Sequence, residues 1–191
     1  MLKSERTREK NRLQSGIQSK SVLADIENHI TFLNKQIASI EQRIRDLFDQ
    51  HPDLREQRDL LTSIPGIGDT TAANFIAEVP DVTRFKSANQ LAAYAGLTPR
   101  KHDSGSSVHR RGRLVKTGNK RFRTALFMPA LIAMRYNPIV QALVERMQEN
   151  GKNQMTIVGA VMRKLVHLAY GVLKTGKPFD PDYLVNVQVT A

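Results

Sequence analysis

Residues 61–79 read LTSIPGIGDTTAANFIAEV, and this stretch decides the fold because it joins two helical patterns through a short turn. Pro65 and Gly66 interrupt the first pattern, while Gly68 and the small residues after it open a second helix. Further helical patterns lie at about 54–63, 70–79, 88–95, 119–135, 138–149 and 155–174. The sequence therefore predicts a mainly all-α domain that contains a helical hairpin.

The turn at Pro65–Gly68 resembles the helix-hairpin-helix element, in which apolar residues alternate with glycines before a helix rich in small residues. Glycine lets the backbone approach a phosphate closely, and the free N–H groups at a helix start attract an anion. We therefore assign Gly66, Gly68 and Thr70 to predicted nucleic-acid binding. A glycine-rich turn that binds no ligand is the alternative, and the pattern leaves it open.

Positive charge is concentrated in residues 100–123, RKHDSGSSVHRRGRLVKTGNKRFR. This stretch holds nine Lys and Arg against the single acid Asp103, a net charge of +8 out of +11 for the chain. Basic clusters neutralise phosphates and release counterions, so the predicted partner is a nucleic acid. We expect a basic Ser/Gly-rich loop or short hairpin here. The predicted nucleic-acid-binding residues are Arg100, Lys101, Arg110, Arg111, Arg113, Lys116, Lys120, Arg121 and Arg123.

Ser104 lies inside this basic cluster, in the sequence HDSGSS. A nucleophilic serine needs a group that accepts its proton and positive charge that stabilises the transition state. His102 and Asp103 are neighbours in sequence, and several arginines follow. A turn serine without a catalytic role is the alternative. The residues alone make Ser104 a candidate nucleophile.

The N-terminal part of the chain predicts a long helix that ends near His51–Asp53. Its apolar residues recur at spacings of three and four, as in a coiled-coil seam: Leu23, Ile26, Ile30, Leu33, Ile37, Ile40, Ile44 and Leu47. We therefore predict a coiled-coil helix at 1–50, a helical domain at 54–180 and a tail at 181–191. An amphipathic helix on its own domain is the alternative, and pairing within or between chains is left open.

The composition excludes several kinds of site. The chain has no cysteine, so it forms neither a disulfide nor a thiolate metal site. It has no apolar run long enough for a membrane span, which predicts a cytoplasmic protein without a membrane partner. The five histidines are scattered and the acids form no evident cluster, so we predict no metal ligand in this chain.

Four stretches in order resemble one protein family: IPGIGDTTAANFIAEV, RFKSANQLAAYAGLTPRKHDSGSS, KTGNKRFRTAL and VGAVMRKLVHLAYGVLKTGKPFD. Over about residues 54–180 the chain is similar to the C-terminal domain of the DEDD insertion-sequence transposases of the one-hundred-and-ten group, which are related to the Piv invertase. These transposases occur in bacteria and archaea. The resemblance therefore implies a nucleoid-associated prokaryotic protein.

The resemblance implies DNA recombination with Ser104 as the catalytic nucleophile, since the family's serine lies in the SG step after a GLTPR-like segment. In that family a RuvC-like domain supplies four metal-binding carboxylates, and a coiled coil links it to the serine-bearing domain. The 191 residues contain no counterpart of the RuvC-like domain. We therefore expect Mg²⁺ only together with that domain, and no activity of this chain alone.

The resemblance also implies partners. DNA is the first, and a bridge RNA is the second, because some family members recognise their DNA through such an RNA. We further expect a homo-oligomer through the coiled coil, or a complex with full-length transposase. The alternatives are a non-catalytic module that binds nucleic acid and dimerises, and a structural oligomer built on the heptads.

Overall fold

A computed structural model describes residues 2–100, 113–114 and 117–182, except for the side chains of Arg100 and Arg113. The chain forms two compact units, Met1–Pro52 and Asp53–Ala191. The first contains α1 (Leu2–Leu13) and α2 (Lys20–Gln50). The second contains α4 (Asp69–Glu78), α5 (Ala88–Tyr94), α6 (Lys120–Ala125), α7 (Phe127–Tyr136), α8 (Pro138–Glu149) and α9 (Gln154–Thr175), and α3 (Pro52–Thr62) begins at the boundary.

The fold is all-α, as predicted from the sequence. Among the described residues, the regular elements that are not α-helices are a short 3₁₀ turn at Val82–Arg84 and two strands of two residues, β1 (Pro99–Arg100) and β2 (Arg113–Leu114). Both strands pair antiparallel with each other. For the basic segment the sequence predicts a loop or a short hairpin, and this pairing agrees with the second; residues 101–112 lie outside the described residues.

The first unit is a pair of antiparallel helices. The Lys3 ammonium lies 2.8 Å from a Glu41 carboxylate oxygen, and Arg6 donates to the Asn34 side chain at 3.1 Å. The predicted N-terminal helix is therefore two helices. The break follows from Gly16, whose φ of +81° is unfavourable for other residues, and from Ser15, which donates to the Arg12 carbonyl at the end of α1.

Only the first part of the predicted coiled-coil seam of α2 is covered within this unit. Ile26, Leu33 and Ile37 are buried, whereas Ile40 and Leu47 keep more than two fifths of their surface exposed. Helix α1 has 12 residues and α2 has 31, so α1 is too short to cover the whole seam. Pairing between chains along the rest of the seam stays a prediction.

The second unit is built around α9, which packs against α5, α7 and α8. Its residues Val161, Leu165, Val166 and Ala169 are fully buried. Within the described part of the chain, α9 is the one helix long and apolar enough to cross a membrane, but half of its apolar window is buried inside this unit. That burial is the pattern of a core helix.

Helix boundaries follow local signals in the sequence. The Ser87 hydroxyl accepts a hydrogen bond from the Gln90 amide at the start of α5, and Gly96 takes up a φ of +70° just after its end. The helix predicted over 119–135 is divided at Leu126 into α6 and α7. Pro129, inside the apolar run TALFMPALIAM, is the residue of this stretch whose type predicts a kink or a short break. Proline has no backbone N–H, so Pro129 cannot donate a hydrogen bond to the carbonyl four residues before it. The helix is therefore interrupted about one turn before the proline.

A pH dependence of stability is expected from His167 on α9. Its Nε2 is buried without a hydrogen-bond partner among the described residues. Burial lowers the pKa of His167, and the charges of Arg163 and Lys164 lower it further. The unfolded chain therefore binds the proton more readily, and stability should fall as pH drops below the ordinary histidine pKa of 6.5 toward the lowered value.

Urea denaturation at pH 7.5 and 5.5 measures this effect. We expect a lower midpoint for the wild type at pH 5.5, and a smaller pH effect in His167→Met, because methionine fills similar space and does not titrate. An equal loss of stability in both proteins would contradict the assignment to His167.

Candidate nucleic-acid interface

The turn between α3 and α4 is held by the junction of α7 and α8. Gly66 has a φ of +107°, and a Cβ built on it would lie 2.7 Å from the Cβ of Ala133 on α7. The Asn137 amide, which is fully buried, donates to the Pro65 carbonyl at 3.3 Å. Gly66 is therefore needed for close helix packing, and this part of the turn faces the protein interior.

Gly68 and Thr70 lie on the open side of the same turn. Both residues are exposed, and a Cβ built on Gly68 would meet no atom within 4 Å. The amides of Asp69 and Thr70 precede the first helical hydrogen bonds of α4, so they are free to bind an acceptor. The Asp69 carboxylate in the same turn would repel a phosphate, because both groups are negatively charged. This geometry makes Gly68 and Thr70, rather than Gly66, the accessible members of the predicted contact.

The two glycines give a matched pair of substitutions. Gly66→Ala should destabilise the domain by about 1–3 kcal/mol, because it introduces both an unfavourable φ and an overlap with Ala133. Gly68→Ala should leave stability nearly unchanged, since its φ is −100° and its surroundings are open. If the open turn contacts a phosphate, Gly68→Ala will weaken DNA binding several-fold. Thermal unfolding and fluorescence anisotropy with duplex DNA separate the two effects, and equal effects on stability would contradict this division.

The basic segment leaves and re-enters the domain through the β1–β2 pair. Pro99 lies opposite Leu114, and Arg100 lies opposite Arg113. Leu114 is fixed against α9, since a Cβ built on Gly159 would lie 3.0 Å from its Cδ1. The pair therefore brings two of the predicted binding residues together. The remaining predictions Ser104, Lys101, Arg110, Arg111 and Lys116 lie outside the described residues.

Gly118 and Asn119 anchor the return of this segment to the end of α5. A Cβ built on Gly118 would overlap the Gly96 amide nitrogen and the Tyr94 carbonyl oxygen. The Asn119 amide donates to that same Tyr94 carbonyl at 2.7 Å. The two backbones are therefore in direct contact, which only glycine allows at position 118.

The Asn119 side chain joins three helices. Its Oδ1 accepts from the Phe122 amide at 3.0 Å and caps α6, while its Nδ2 donates to a Glu78 carboxylate oxygen at 2.6 Å. The same Nδ2 lies 3.1 Å from the Tyr94 hydroxyl. The ring of Phe122 also packs edge-on against Phe75 at 4.9 Å. These contacts fix α6 relative to α4 and α5.

The three bases of α6 have different environments. Lys120 and Arg121 are exposed in the first turn, where the helix dipole disfavours a cation. Arg123 is half-buried and donates to the Ala95 carbonyl at 3.2 Å. Lys120 and Arg121 are therefore free to contact a phosphate, while Arg123 already has a structural role.

The sequence did not reveal the roles of Gly96, Gly118 and Asn119 as a group. Ser-Gly-rich and basic residues around them indicated a loop, but the partners Glu78 and Asn119 are 41 residues apart. The one local signal was the order Gly–Asn before a helix, which is typical of an N-cap.

The part of the chain that the structure describes does not supply a metal site. No group of three or more His, Asp or Glu side chains there lies close enough to hold an ion. The magnesium that the family resemblance implies is expected with the carboxylates of the RuvC-like domain, and it stays an expectation.

Comparison with known proteins concerns the domain that carries this candidate interface. Residues 58–145 match the family described as Transposase IS116/IS110/IS902. They are a transposase domain of that family. The matched range contains the α3–α4 turn, the β1–β2 pair, the Asn119 contacts and α7.

Relatives of this transposase domain extend the similarity beyond the matched range. A pilin gene-inverting protein of Moraxella bovis is 39% identical over 156 residues, which are 81% of this chain and 48% of that protein. An insertion element IS110 protein of Streptomyces coelicolor is 28% identical over 170 residues, 89% of this chain and 41% of that protein. A transposase for insertion sequence element IS1111A of Coxiella burnetii is 31% identical over 117 residues, which are 61% of this chain and 31% of that protein. The chain thus spans half or less of these relatives' length.

Proposed function

We propose that this chain is the part of a transposase that binds DNA and supplies the serine nucleophile for strand transfer. The observation that carries the proposal is the transposase domain at 58–145, which includes the basic segment with Ser104. Transposases act on DNA, and the relative with 39% identity bears a name that refers to gene inversion. Both activities require a DNA strand to be cut and rejoined.

The proposed reaction is a transesterification at phosphorus. The Ser104 Oγ forms a bond to the phosphorus, and the bond from that phosphorus to one ester oxygen of the strand breaks. The leaving oxygen takes up the proton that the serine hydroxyl gives up. One DNA end is then a serine phosphodiester and the other carries a free hydroxyl, so the bond energy is kept for rejoining.

The surrounding bases support this reaction electrostatically. A phosphoryl group in the transition state carries negative charge that fixed cations stabilise. Arg110, Arg111 and Arg113 follow Ser104 within nine residues, and the β1–β2 pair places Arg113 opposite Arg100. We infer that these arginines hold the strand to be cut and that Lys120 and Arg121 extend the contact.

The family resemblance adds two finer proposals. The DEDD carboxylates would come from a RuvC-like domain in the same or another polypeptide, with the coiled-coil seam of α2 as the pairing element. A bridge RNA would share the basic surface with DNA. Binding of nucleic acid without strand cleavage would support instead a non-catalytic module.

Salt dependence of DNA binding tests the electrostatic part of the proposal. With this density of bases, affinity should fall by about 10³-fold between 50 and 200 mM NaCl. Arg121→Gln should lower the slope of log Kd against log salt by about one, without a change in stability. Arg123→Gln is the matched control, and it should reduce stability because the Ala95 carbonyl loses its donor. A salt-independent affinity would remove DNA binding as the function of this surface.

A further inference from the structure

The outer face of α7 carries a row of large exposed side chains. Met128, Ile132 and Tyr136 expose 60%, 46% and 68% of their surface, and their spacing of four places them on one face. Ala130 and Ala133, on the inner side of the same helix, are completely buried. An exposed apolar row on an otherwise well-packed domain marks an interaction surface.

The charge around this row shows what kind of partner it fits. The sequence has no Asp or Glu between Asp103 and Glu145, although it has eight Lys and Arg there. Arg135 is exposed three residues after Ile132, so it belongs to the same face. Lys120 and Arg121 are exposed at the start of α6, just before α7. Along residues 104–144 the row therefore has basic neighbours in sequence and no acidic ones, which favours a polyanion as its partner.

We propose that the outer face of α7 binds duplex DNA. Met128, Ile132 and Tyr136 lie against the sugars and base edges of a groove, and Arg135 with the α6 bases contacts the phosphates on its rims. The eight steps along the helix from Met128 to Tyr136 extend about 12 Å, which is the length of three to four base pairs. Met and Ile are residue types that enter the minor groove in other DNA-binding proteins. The proposal rests on the proposed function and adds a second, largely apolar contact to it.

Two other partners fit this face less well. Single-stranded nucleic acid is bound by rows of stacking aromatic side chains, whereas this row has one, Tyr136, and the chain has no tryptophan. A second copy of the chain would need about 800 Å² on each side, and three partly exposed side chains offer on the order of a few hundred. A groove with apolar walls and phosphate rims matches both the row and its cations.

Fluorescence anisotropy with a duplex of about 30 base pairs tests this surface. We expect the triple substitution Met128→Ala, Ile132→Ala and Tyr136→Ala to weaken binding at least tenfold, with an unchanged slope of log Kd against log salt, because no phosphate contact is removed. Arg135→Gln should instead lower the slope by about one. Met155→Ala is the matched control, since Met155 is 67% exposed on α9, outside the row. It should leave affinity unchanged.

The possible results separate this inference from the function on which it rests. If the wild type binds DNA in a salt-dependent way and the folded triple variant binds with equal affinity, the inference is overturned. The proposed function is then unaffected. Absence of salt-dependent binding by the wild type would overturn both. Sedimentation and parallel titrations with single-stranded DNA and duplex RNA test the other partners. If the triple variant loses only self-association, or only the binding of single-stranded DNA or of duplex RNA, the assignment to duplex DNA is overturned.

Discussion

Ser104→Ala is expected to reduce formation of a covalent protein–DNA adduct by at least about 10³-fold, because the substitution removes the atom that attacks phosphorus. The affinity for DNA should stay within about twofold, since alanine removes no charge and little volume. The reaction contains this chain, end-labelled DNA of the element terminus, Mg²⁺ and a separately expressed RuvC-like domain. Adducts are separated from reversible complexes on a denaturing gel.

The neighbouring serines provide the control for this experiment. Ser106→Ala and Ser107→Ala change the same HDSGSS stretch and remove the same atom type. Both should retain most of the adduct if the role belongs to Ser104 alone. An adduct that persists in Ser104→Ala, or is lost equally in all three variants, would contradict the assignment.

Gly118→Val is expected to destabilise the second unit by about 3 kcal/mol or more. A side chain at this position overlaps backbone atoms of Tyr94 and Gly96, which cannot rotate away as a flexible side chain would. The hydrogen bond of 2.7 Å from the Asn119 amide to the Tyr94 carbonyl is lost when the two segments separate. Urea denaturation followed by circular dichroism gives the free energy of unfolding.

Gly171→Ala is the matched substitution with the opposite expected sign. Gly171 lies within α9, and a Cβ built on it would meet no atom within 4 Å. Alanine there should raise stability by about 0.5–1 kcal/mol, because glycine is the poorer helix former. A Gly118→Val protein as stable as the wild type would show that the contact between Gly118 and Gly96 does not hold the domain together.

Much of the helical architecture could be predicted from the sequence because it depends on local signals. The apolar spacing of α2 and α9 and the caps at Ser87 and Asn137–Pro138 are set within a few residues. The observed helices begin and end close to the predicted positions. The exception in the second unit is the division of α6 from α7, where Pro129 acts one turn before its own position.

Long-range packing could not be predicted from these patterns. The resemblance to a helix-hairpin-helix gave Gly66 and Gly68 the same role, but Gly66 is placed against Ala133 by the fold and Gly68 is left open. Likewise, the order Gly118–Asn119 before a helix is typical of an N-cap, whereas the hydrogen bond of Asn119 to Glu78 depends on how α4 and α6 meet. Periodicity also cannot show that α1 folds back on α2.

The candidate site was predicted from charge, and charge density is a property of the sequence. The charge density identified the stretch 100–123, but it did not distinguish exposed bases from bases that hydrogen-bond within the protein. The structure makes that separation for Arg121 and Arg123. It also adds α7, whose exposed row could not be recognised in the apolar run TALFMPALIAM without knowing which side is buried.

Mass spectrometry of the DNA adduct shows which residue is the nucleophile. The wild-type chain reacts with element-terminus DNA in the presence of the RuvC-like domain, nucleases trim the bound strand, and the protein is digested and sequenced. We predict a nucleotide remnant on Ser104 and on no other residue. A remnant on a tyrosine such as Tyr136, on another serine, or on no residue of this chain would contradict the assignment of the nucleophile.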